Sequence, residues 1–282
     1  MSDSAMVDGL GAAPTTYFHR DERPASVPIW LETMALLEWV FLRVSGVYYG
    51  CGVRRGDRSA VVVVPGFLGT DSYLLDLHCW LWRVGYRPYL SRIGRNAECL
   101  DILLNRLLKT IDTAQQECGG KVHLIGHSLG GLLARAAAAR WPERVASVIA
   151  LGSPFRGLNG HPLVMRMADD VRARIQSQRA GSVEPECFTG YCGCDTVRAL
   201  QSAPSVPRIA IYTKTDGVTD WRFCIDGNPN TDFEVDGTHS GLVFNAAVYH
   251  RIAAHLAAVS DASAPAAERD ARDAAPREPA QR

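Results

Sequence analysis

The sequence has no excess of charge of either sign, because its 282 residues hold 30 Lys and Arg against 30 Asp and Glu. A chain that binds nucleic acid usually carries a surplus of basic residues, so we expect no nucleic-acid partner. The sequence also lacks an apolar run of signal-peptide type after a basic start, since the first basic residue is Arg20. We therefore expect no conventional secretory signal and a cytoplasmic location.

The helix-like stretch at residues 29–44 (IWLETMALLEWVFLRV) lacks the uninterrupted apolar character of a transmembrane helix. Glu32, Glu38 and Arg43 interrupt it, whereas a spanning helix needs about 20 predominantly apolar residues. We expect a helix that packs on the core. The alternative is a helix that lies on a membrane surface, which would make the protein membrane-associated.

Eight cysteines in a chain of this length do not make a small disulfide scaffold. Cys187, Cys192 and Cys194 lie close together and Cys224 follows later, in a spacing that is not a standard zinc pattern. Reduced thiols are favoured for this group, with disulfides and a structural metal as alternatives. The remaining cysteines are scattered and are predicted to be structural: Cys51, Cys79, Cys99 and Cys118.

The two ends of the chain differ from its middle. Residues 1–28 are polar and turn-rich, which predicts a flexible segment. After Val259 no residue is both apolar and larger than alanine. Residues 260–282 therefore bury too little surface to offset their ordering entropy, and we predict a disordered tail. One domain is expected over residues 29–259, without a solenoid-like repeat.

Apolar strands alternate with helical patterns through this domain. The run SAVVVV at residues 59–64 is typical of a strand buried on both faces. Strands separated by helical crossovers predict an α/β fold, a mostly parallel sheet with helices on both faces. The other strands are predicted at residues 87–90, 122–126, 145–151, 207–213 and 232–235, and the helices at 72–84, 97–117, 129–140 and 244–258.

The motif GHSLG at residues 126–130 lies between a predicted strand and a predicted helix. Glycines at its two ends let the backbone turn sharply without side-chain clashes. Such a turn raises Ser128 above the sheet edge, at a helix N-terminus that favours negative charge. A serine that merely caps the helix is the alternative. The flanking strand and helix favour a nucleophile elbow, G-x-S-x-G, with Ser128 as the nucleophile.

A nucleophilic serine needs a base, and in this order of elements the base is a histidine after the last strand. His239, in VDGTHSGL, occupies a glycine-flanked loop at that place, so we predict it as the base. The other histidines are assigned to structural, inserted or exposed helical positions: His123, His127, His161, His250 and His255.

The acid partner of the histidine should follow the preceding strand. Asp216 comes three residues after Thr213, with Gly217 allowing a tight loop. Asp220 is the competing candidate, and either aspartate could simply form a turn. We prefer Asp216 because it lies nearer the strand end, where a rigid scaffold can orient an imidazole.

An oxyanion hole requires two N–H groups aimed at the same oxygen. One is expected from Leu129, which follows the nucleophile. The other is expected from Phe67 in the loop PGFLG at residues 65–69, because Pro65 has no N–H. An ordinary turn is the alternative for this loop.

About 50 residues between LGSPFRG and Pro207 exceed what the strand–helix alternation needs. We predict that residues 158–206 form a cap over the sheet edge, with a helix near 161–179. Caps shape substrate pockets, and Phe67, Leu68 and Phe155 are predicted to contact a hydrophobic part of the substrate.

These motifs resemble those of the α/β-hydrolase superfamily, in its lipase and esterase branch. The resemblance spans residues 58–258 and rests on PGFLG, GHSLGG, LGSPFRG, TDGVTDW and GTHSGL in that order. Pro65 departs from similar lipases, which often carry histidine there.

The resemblance implies a serine hydrolase of small-molecule carboxylic esters or lipids. Ser128, His239 and Asp216 would act through an acyl-serine, without a metal or organic cofactor. An acyltransferase and an inactive binding protein are the alternatives.

Overall fold

A computed structural model of the chain describes residues 28–157, 159–178, 195–200 and 205–263. Within these residues, six strands pair in parallel to form one sheet, in the spatial order second, first, third, fourth, fifth and sixth. Both the α/β class and the positions of the strands predicted from sequence are confirmed. The strands are β1 (Ala60–Val64), β2 (Arg87–Leu90), β3 (Val122–His127), β4 (Val145–Leu151), β5 (Arg208–Tyr212) and β6 (Asp232–Glu234).

Strand β1 shows why helices must cover both faces of the sheet. All five of its side chains are buried, and successive side chains point to opposite faces. Val62 and Val64 belong to one core cluster, whereas Val61 and Val63 belong to the other. Burying a valine side chain contributes roughly 1.5–3 kcal/mol, so each face stabilises the fold only if helices exclude water from it.

Helices occupy both sides of the sheet, and most begin and end close to the positions predicted from sequence. The predicted helix at 97–117 begins later, at Leu100. The segment before this helix binds the loop at residues 65–69: the Asn96 carbonyl accepts from Leu68 N–H, and the Asn96 side-chain amide donates to Pro65 O. The helices are α1 (Ala35–Val44), α2 (Leu75–Arg83), α3 (Leu100–Cys118), α4 (Leu129–Arg140), α5 (Pro162–Gln178), α6 (Asp195–Leu200) and α7 (Ala246–Ser263).

The last helix corrects the predicted C-terminal boundary. Helix α7 continues through Ser263, whose hydroxyl donates to Val259 O. Local helical hydrogen bonds carry the helix past the last large apolar residue, an effect that burial alone did not predict. The rest of the predicted tail, residues 264–282, lies outside the described residues, as do residues 1–27 of the predicted flexible segment.

The predicted N-terminal helix is present as a 3-10 helix, Ile29–Met34, that continues into α1. We expected this helix to pack on the core through its apolar side chains, but Leu42 is the only apolar residue of the helix that is buried. Trp30, Leu36 and Phe41 are each at least 65% exposed. Polar side chains make the main contacts instead. Within the described part of the chain, no helix combines the length and apolar content needed to cross a membrane.

Candidate active site

Ser128 occupies a sharp turn between β3 and α4. Its backbone has φ 51° and ψ −123°, a conformation that costs a non-glycine residue on the order of 1–3 kcal/mol. Its N–H donates to Leu151 O at 2.8 Å, which ties the turn to β4. A Cβ on Gly126 would overlap the backbone of the following helix, and one on Gly130 would overlap the Val64 carbonyl. The two glycines therefore have the steric role predicted for them.

His239 and Asp216 form a buried pair at the same edge of the sheet. Their Nδ1 and Oδ2 atoms are 2.6 Å apart, and each residue is at most 4% exposed. Asp216 also accepts from Val218 N–H at 2.8 Å and from Thr219 through its N–H at 2.7 Å and its hydroxyl at 3.0 Å. These bonds fix the orientation of the carboxylate that contacts the imidazole.

The surroundings of His239 favour its protonated form. Burial by itself lowers the pKa of a histidine, but the charge of Asp216, its hydrogen bond and the charge of Glu32 outweigh that effect. The pKa of His239 is therefore raised above its ordinary value. The raised pKa makes the imidazole a stronger base, which suits a group that accepts a proton during the reaction.

His127 supports the main chain of His239. Its Nε2 lies 3.0 Å from His239 O, and the two rings are 4.8 Å apart. Because a carbonyl can only accept, Nε2 carries the hydrogen. Burial lowers the pKa of His127 to about 3, so the ring is neutral near pH 7. The structural role predicted for His127 thus includes holding the His239 loop.

The other histidines lie away from this pair. His123 Nδ1 is 2.8 Å from Ser147 Oγ within the sheet, and His161 Nδ1 accepts from Leu163 N–H at the start of α5. His250 is exposed on α7. His255 is half-buried rather than exposed, because α7 turns that face towards the sheet near His123.

A cavity of about 370 Å³ opens above Ser128 and His239. This volume falls within the range of small-molecule sites. Its wall is mostly apolar, and α5 of the predicted cap supplies four of the lining residues. Phe67 and Leu68, which were predicted to contact the substrate, line this cavity. The further apolar lining residues include Leu132, Pro154, Val164, Met165, Met167, Ala168 and Val218.

Phe155 does not have the predicted place in this cavity, whose lining includes Pro154 instead. Phe155 is 4% exposed and belongs to the core cluster beneath the site. The Arg135 guanidinium lies 3.5 Å from the centre of its ring, a cation–π contact. The turn after β4, closed by the bond from Phe155 N–H to Ser153 O, leads the ring into the core.

The loop at residues 65–69 passes directly over Ser128. A Cβ on Gly66 would lie 3.0 Å from Ser128 Cβ, and Gly69 N–H donates back to Gly66 O at 3.0 Å. Leu129 is the first residue of α4, and N–H groups of a first helical turn have no acceptor within the helix. Phe67 and Leu129, the two predicted donors, thus belong to segments that meet at the nucleophile.

Sequence reasoning missed several residues of the site. Glu32 was noted only as a charge in an apolar helix, yet its carboxylate binds the main chain of His239. Tyr73 lines the cavity, and its hydroxyl donates to Ser240 O. Thr219 orients Asp216. The sequence TDGVT contained that last signal, because an aspartate followed by a threonine three residues later is typical of a side-chain-closed turn.

The cysteine group falls largely outside the described residues, which exclude Cys187, Cys192 and Cys194. Cys224 is a free buried thiol, and burial raises its pKa well above the ordinary value. Within the described ranges, no cluster of three or more His, Cys, Asp or Glu side chains is placed to hold a metal ion.

Part of the sequence is similar to lipases. A family model for the alpha/beta hydrolase fold matches residues 107–181, which contain Ser128. The triacylglycerol lipase of Pseudarthrobacter phenanthrenivorans is 34% identical over 116 residues, which cover 36% of this chain and 34% of that lipase. The triacylglycerol lipase of Burkholderia plantarii is also 34% identical over 116 residues, covering 36% of this chain and 30% of that lipase. The chain thus spans about a third of the length of the curated relatives that it matches.

Two solved structures share the arrangement of strands and helices. A metagenome-derived lipolytic enzyme has a TM-score of 0.53 at 16% identity, covering 73% of this chain and 96% of its own. A soluble variant of monoglyceride lipase from Saccharomyces cerevisiae has a TM-score of 0.52 at 15% identity, covering 75% of this chain and 89% of its own. At such identities the likeness concerns the fold. The chain therefore has the α/β-hydrolase fold, and the part of its sequence around Ser128 is similar to triacylglycerol lipases.

Proposed function

We propose that the protein is a serine hydrolase of carboxylic esters that acts through an acyl-serine. One observation carries this proposal: Ser128, at its strained turn, and His239, which pairs with Asp216, line the same apolar cavity. A strained backbone costs stability, and both backbone strain and perturbed pKa values concentrate at functional sites.

The mechanism follows from the roles of these groups. As Ser128 Oγ attacks the ester carbonyl carbon, its proton passes to the free nitrogen of His239. Asp216 accepts the hydrogen bond from Nδ1 and stabilises the imidazolium. Phe67 and Leu129 N–H groups bind the oxyanion. Collapse of the tetrahedral intermediate breaks the bond to the alcohol, which takes the proton from His239. Water then repeats the sequence on the acyl-serine and releases the acid.

The substrate class follows from the wall of the cavity. Its apolar side chains favour a hydrophobic acyl group, and the methionines of α5 adapt to chains of different shape. The similar enzymes from Pseudarthrobacter and Burkholderia are named triacylglycerol lipases. We therefore propose a lipid or other hydrophobic ester as the substrate, within the same acyl-serine chemistry.

The exposed apolar face of the N-terminal helix favours peripheral contact with a membrane or lipid droplet. Trp30, Phe41 and Val44 each expose at least 65% of their surface, and an amphipathic helix with aromatic residues can insert into a lipid interface. The same helix contacts Ser240, which lines the cavity. Flotation with phosphatidylcholine vesicles tests this contact. Trp30→Ser with Phe41→Ser should reduce the bound fraction, and equal binding would contradict it.

Ester hydrolysis is tested with nitrophenyl esters of increasing acyl length, beside triglyceride and phospholipid emulsions. Ser128→Ala should lower turnover by roughly 10³-fold or more, whereas Ser263→Ala, at the end of α7, should match the wild type. A fluorophosphonate probe should label the wild type and leave Ser128→Ala unlabelled. Turnover by Ser128→Ala at the wild-type rate would refute the proposal. Ester products formed from an added alcohol would indicate an acyltransferase. A wild type that the fluorophosphonate probe does not label would indicate an inactive scaffold.

A further inference from the structure

Glu32 connects the two loops that carry His239 and Asp216. Its Oε1 accepts hydrogen bonds from Gly217 N–H at 3.0 Å and from His239 N–H at 3.1 Å. Its Oε2 accepts from Ser240 N–H at 2.7 Å. One carboxylate thus binds the residue next to Asp216, the main chain of His239 and a residue of the cavity wall.

Glu38 binds the same loop one residue earlier. Its Oε1 accepts from Thr238 N–H at 2.8 Å, and its Oε2 accepts from the Thr238 hydroxyl at 2.7 Å. The Thr238 hydroxyl in turn accepts from Gly241 N–H at 2.9 Å. The two glutamates therefore bind three consecutive main-chain N–H groups, those of Thr238, His239 and Ser240.

These N–H groups need acceptors for a structural reason. A 3-10 helix, Ser240–Phe244, begins directly after His239, and N–H groups at a helix N-terminus lack intrahelical partners. They also carry partial positive charge, which favours a carboxylate there. Hydrogen bonds to an ionised acceptor are roughly twice as strong as neutral ones. The loop of His239 is therefore held by charge-assisted bonds from a distant part of the chain.

The loop has glycines where the carboxylates approach. A Cβ on Gly241 would overlap Glu38 Oε2, and one on Gly237 would lie 2.5 Å from Glu38 Oε1. Any other residue at position 241 would displace Glu38. The glycines of VDGTHSGL thus make room for a side chain that lies 200 residues earlier in the sequence.

The helix that carries the glutamates has a second anchor. Asp76 of α2 accepts from Trp39 Nε1 at 2.8 Å, from Arg43 at 2.6 Å and from the Tyr48 hydroxyl at 2.9 Å. The helix is therefore fixed to the body of the protein independently of the loop. A support fixed in this way can hold the loop in one position.

The charge of Glu32 also acts on the His239 ring. The titratable groups that face this ring are Asp216 from the loop after β5, Glu32 from the N-terminal segment and His127 from the end of β3. Burial opposes protonation of His239, whereas Asp216 and then Glu32 favour it. His127 is neutral near pH 7 because its own pKa is about 3. Removing the charge of Glu32 should therefore lower the pKa of His239.

We propose that Glu32 and Glu38 are positioning residues of the active site, which hold the loop of His239 and, through Glu32, tie it to the loop of Asp216. On this proposal the N-terminal segment, residues 29–44, is part of the catalytic apparatus. The kinetic consequences of this proposal rest on the ester hydrolysis proposed above, whereas its structural consequences are independent of that function.

The kinetic test compares Glu32→Gln and Glu38→Gln with Glu117→Gln, an exposed residue that pairs with Arg87 and Tyr89. We expect kcat/KM to fall on the order of 10-fold in Glu32→Gln and by less in Glu38→Gln, because a misplaced base reacts slowly. The acid limb of the pH profile should move to lower pH only in Glu32→Gln. A limb that stays in place overturns the role of Glu32, and wild-type kcat/KM in Glu38→Gln overturns that of Glu38.

Amide hydrogen exchange tests the same contacts without catalysis. In the wild type, the amides of Thr238, His239 and Ser240 should exchange slowly, and Glu38→Gln should speed exchange at Thr238 while the unfolding midpoint stays close to that of Glu117→Gln. Wild-type amides that exchange like an open loop would overturn the proposal, even if a variant failed to fold. If the wild type showed no ester turnover but these amides were protected, the proposed function would be refuted and the positioning contacts would still be supported.

Discussion

Asp216 lies 2.6 Å from the imidazole of His239, whereas Asp220, in the same loop, binds the guanidinium of Arg222 and caps a 3-10 helix. The geometry thus agrees with the preference for Asp216 over its competitor Asp220. Asp216→Asn should lower kcat by up to about 10⁴-fold, because an amide can neither stabilise the imidazolium nor hold the required tautomer. Asp220→Asn weakens the ion pair with Arg222 and the cap of the 3-10 helix, neither of which contacts His239, so it should lower kcat by well under tenfold. Steady-state kinetics with one nitrophenyl ester measures kcat in both variants. An equal loss of kcat in Asp216→Asn and Asp220→Asn would contradict the assignment of Asp216.

Acid should destabilise the protein through its buried histidines. Burial lowers the pKa of His123 and His255 to about 4 and that of His127 to about 3, whereas in the unfolded chain each is near 6.5. At pH values between the folded and the unfolded pKa, the unfolded state binds more protons than the folded state. The free energy of unfolding therefore falls as pH falls below about 6.5, by up to about 1.4 kcal/mol per pH unit for each histidine.

His239 acts in the opposite sense and in another range. Its raised pKa contributes stability that is fully present below about pH 6.5 and is lost as pH rises through the folded value. Urea unfolding at pH 7, 6 and 5 measures the acid effect. His123→Asn should flatten the dependence, whereas His250→Gln, on the exposed face of α7, should not. The same slope in all three proteins would contradict the explanation.

The cavity wall should set acyl-chain preference. Val164→Trp adds bulk on α5, so we expect the optimum in a series of nitrophenyl esters to shift to shorter chains. Phe155→Leu is the matched control, because Phe155 lies in the core. It should lower the thermal midpoint, at a cost of about 1 kcal/mol, and leave the preference unchanged. A shifted preference in Phe155→Leu would return that residue to the substrate site.

Gly241→Ala should disturb the active site without touching a reacting group. The added Cβ overlaps Glu38 Oε2, so the carboxylate must leave Thr238 and the loop of His239 loses that support. We expect kcat/KM to fall on the order of 10-fold. Gly120→Ala is the control, since a Cβ there has open space. Equal rates in both variants would show that the loop does not depend on Glu38.

Periodicity and local chemistry account for what sequence predicted well. Apolar runs such as β1, with the helical patterns between them, were sufficient to place the strands, because a strand buried on both faces must be apolar throughout. The sharp turn at Ser128 was predictable because it requires glycine at fixed local positions. The place of His239 beside Asp216 was predictable because both residues follow strands that end at the same edge of the sheet.

Orientation and long-range pairing account for what sequence reasoning missed. Phe155 follows β4 as expected, but the direction of its ring depends on a turn that no local pattern reveals. Helix α7 was missed for a different, local reason: helical hydrogen bonds, rather than burial of apolar side chains, continue it past its predicted end.

The sequence was sufficient to predict the order of elements, the fold class and the sharp turn at Ser128, because these depend on periodicity and on the sterics of a few adjacent residues. The folded structure was needed to show that Asp216, already preferred from the sequence, contacts His239, that Phe155 belongs to the core and that Glu32 and Glu38 bind the His239 loop. Those contacts join residues far apart in the chain, and their partners are fixed by packing in three dimensions, which local sequence does not encode.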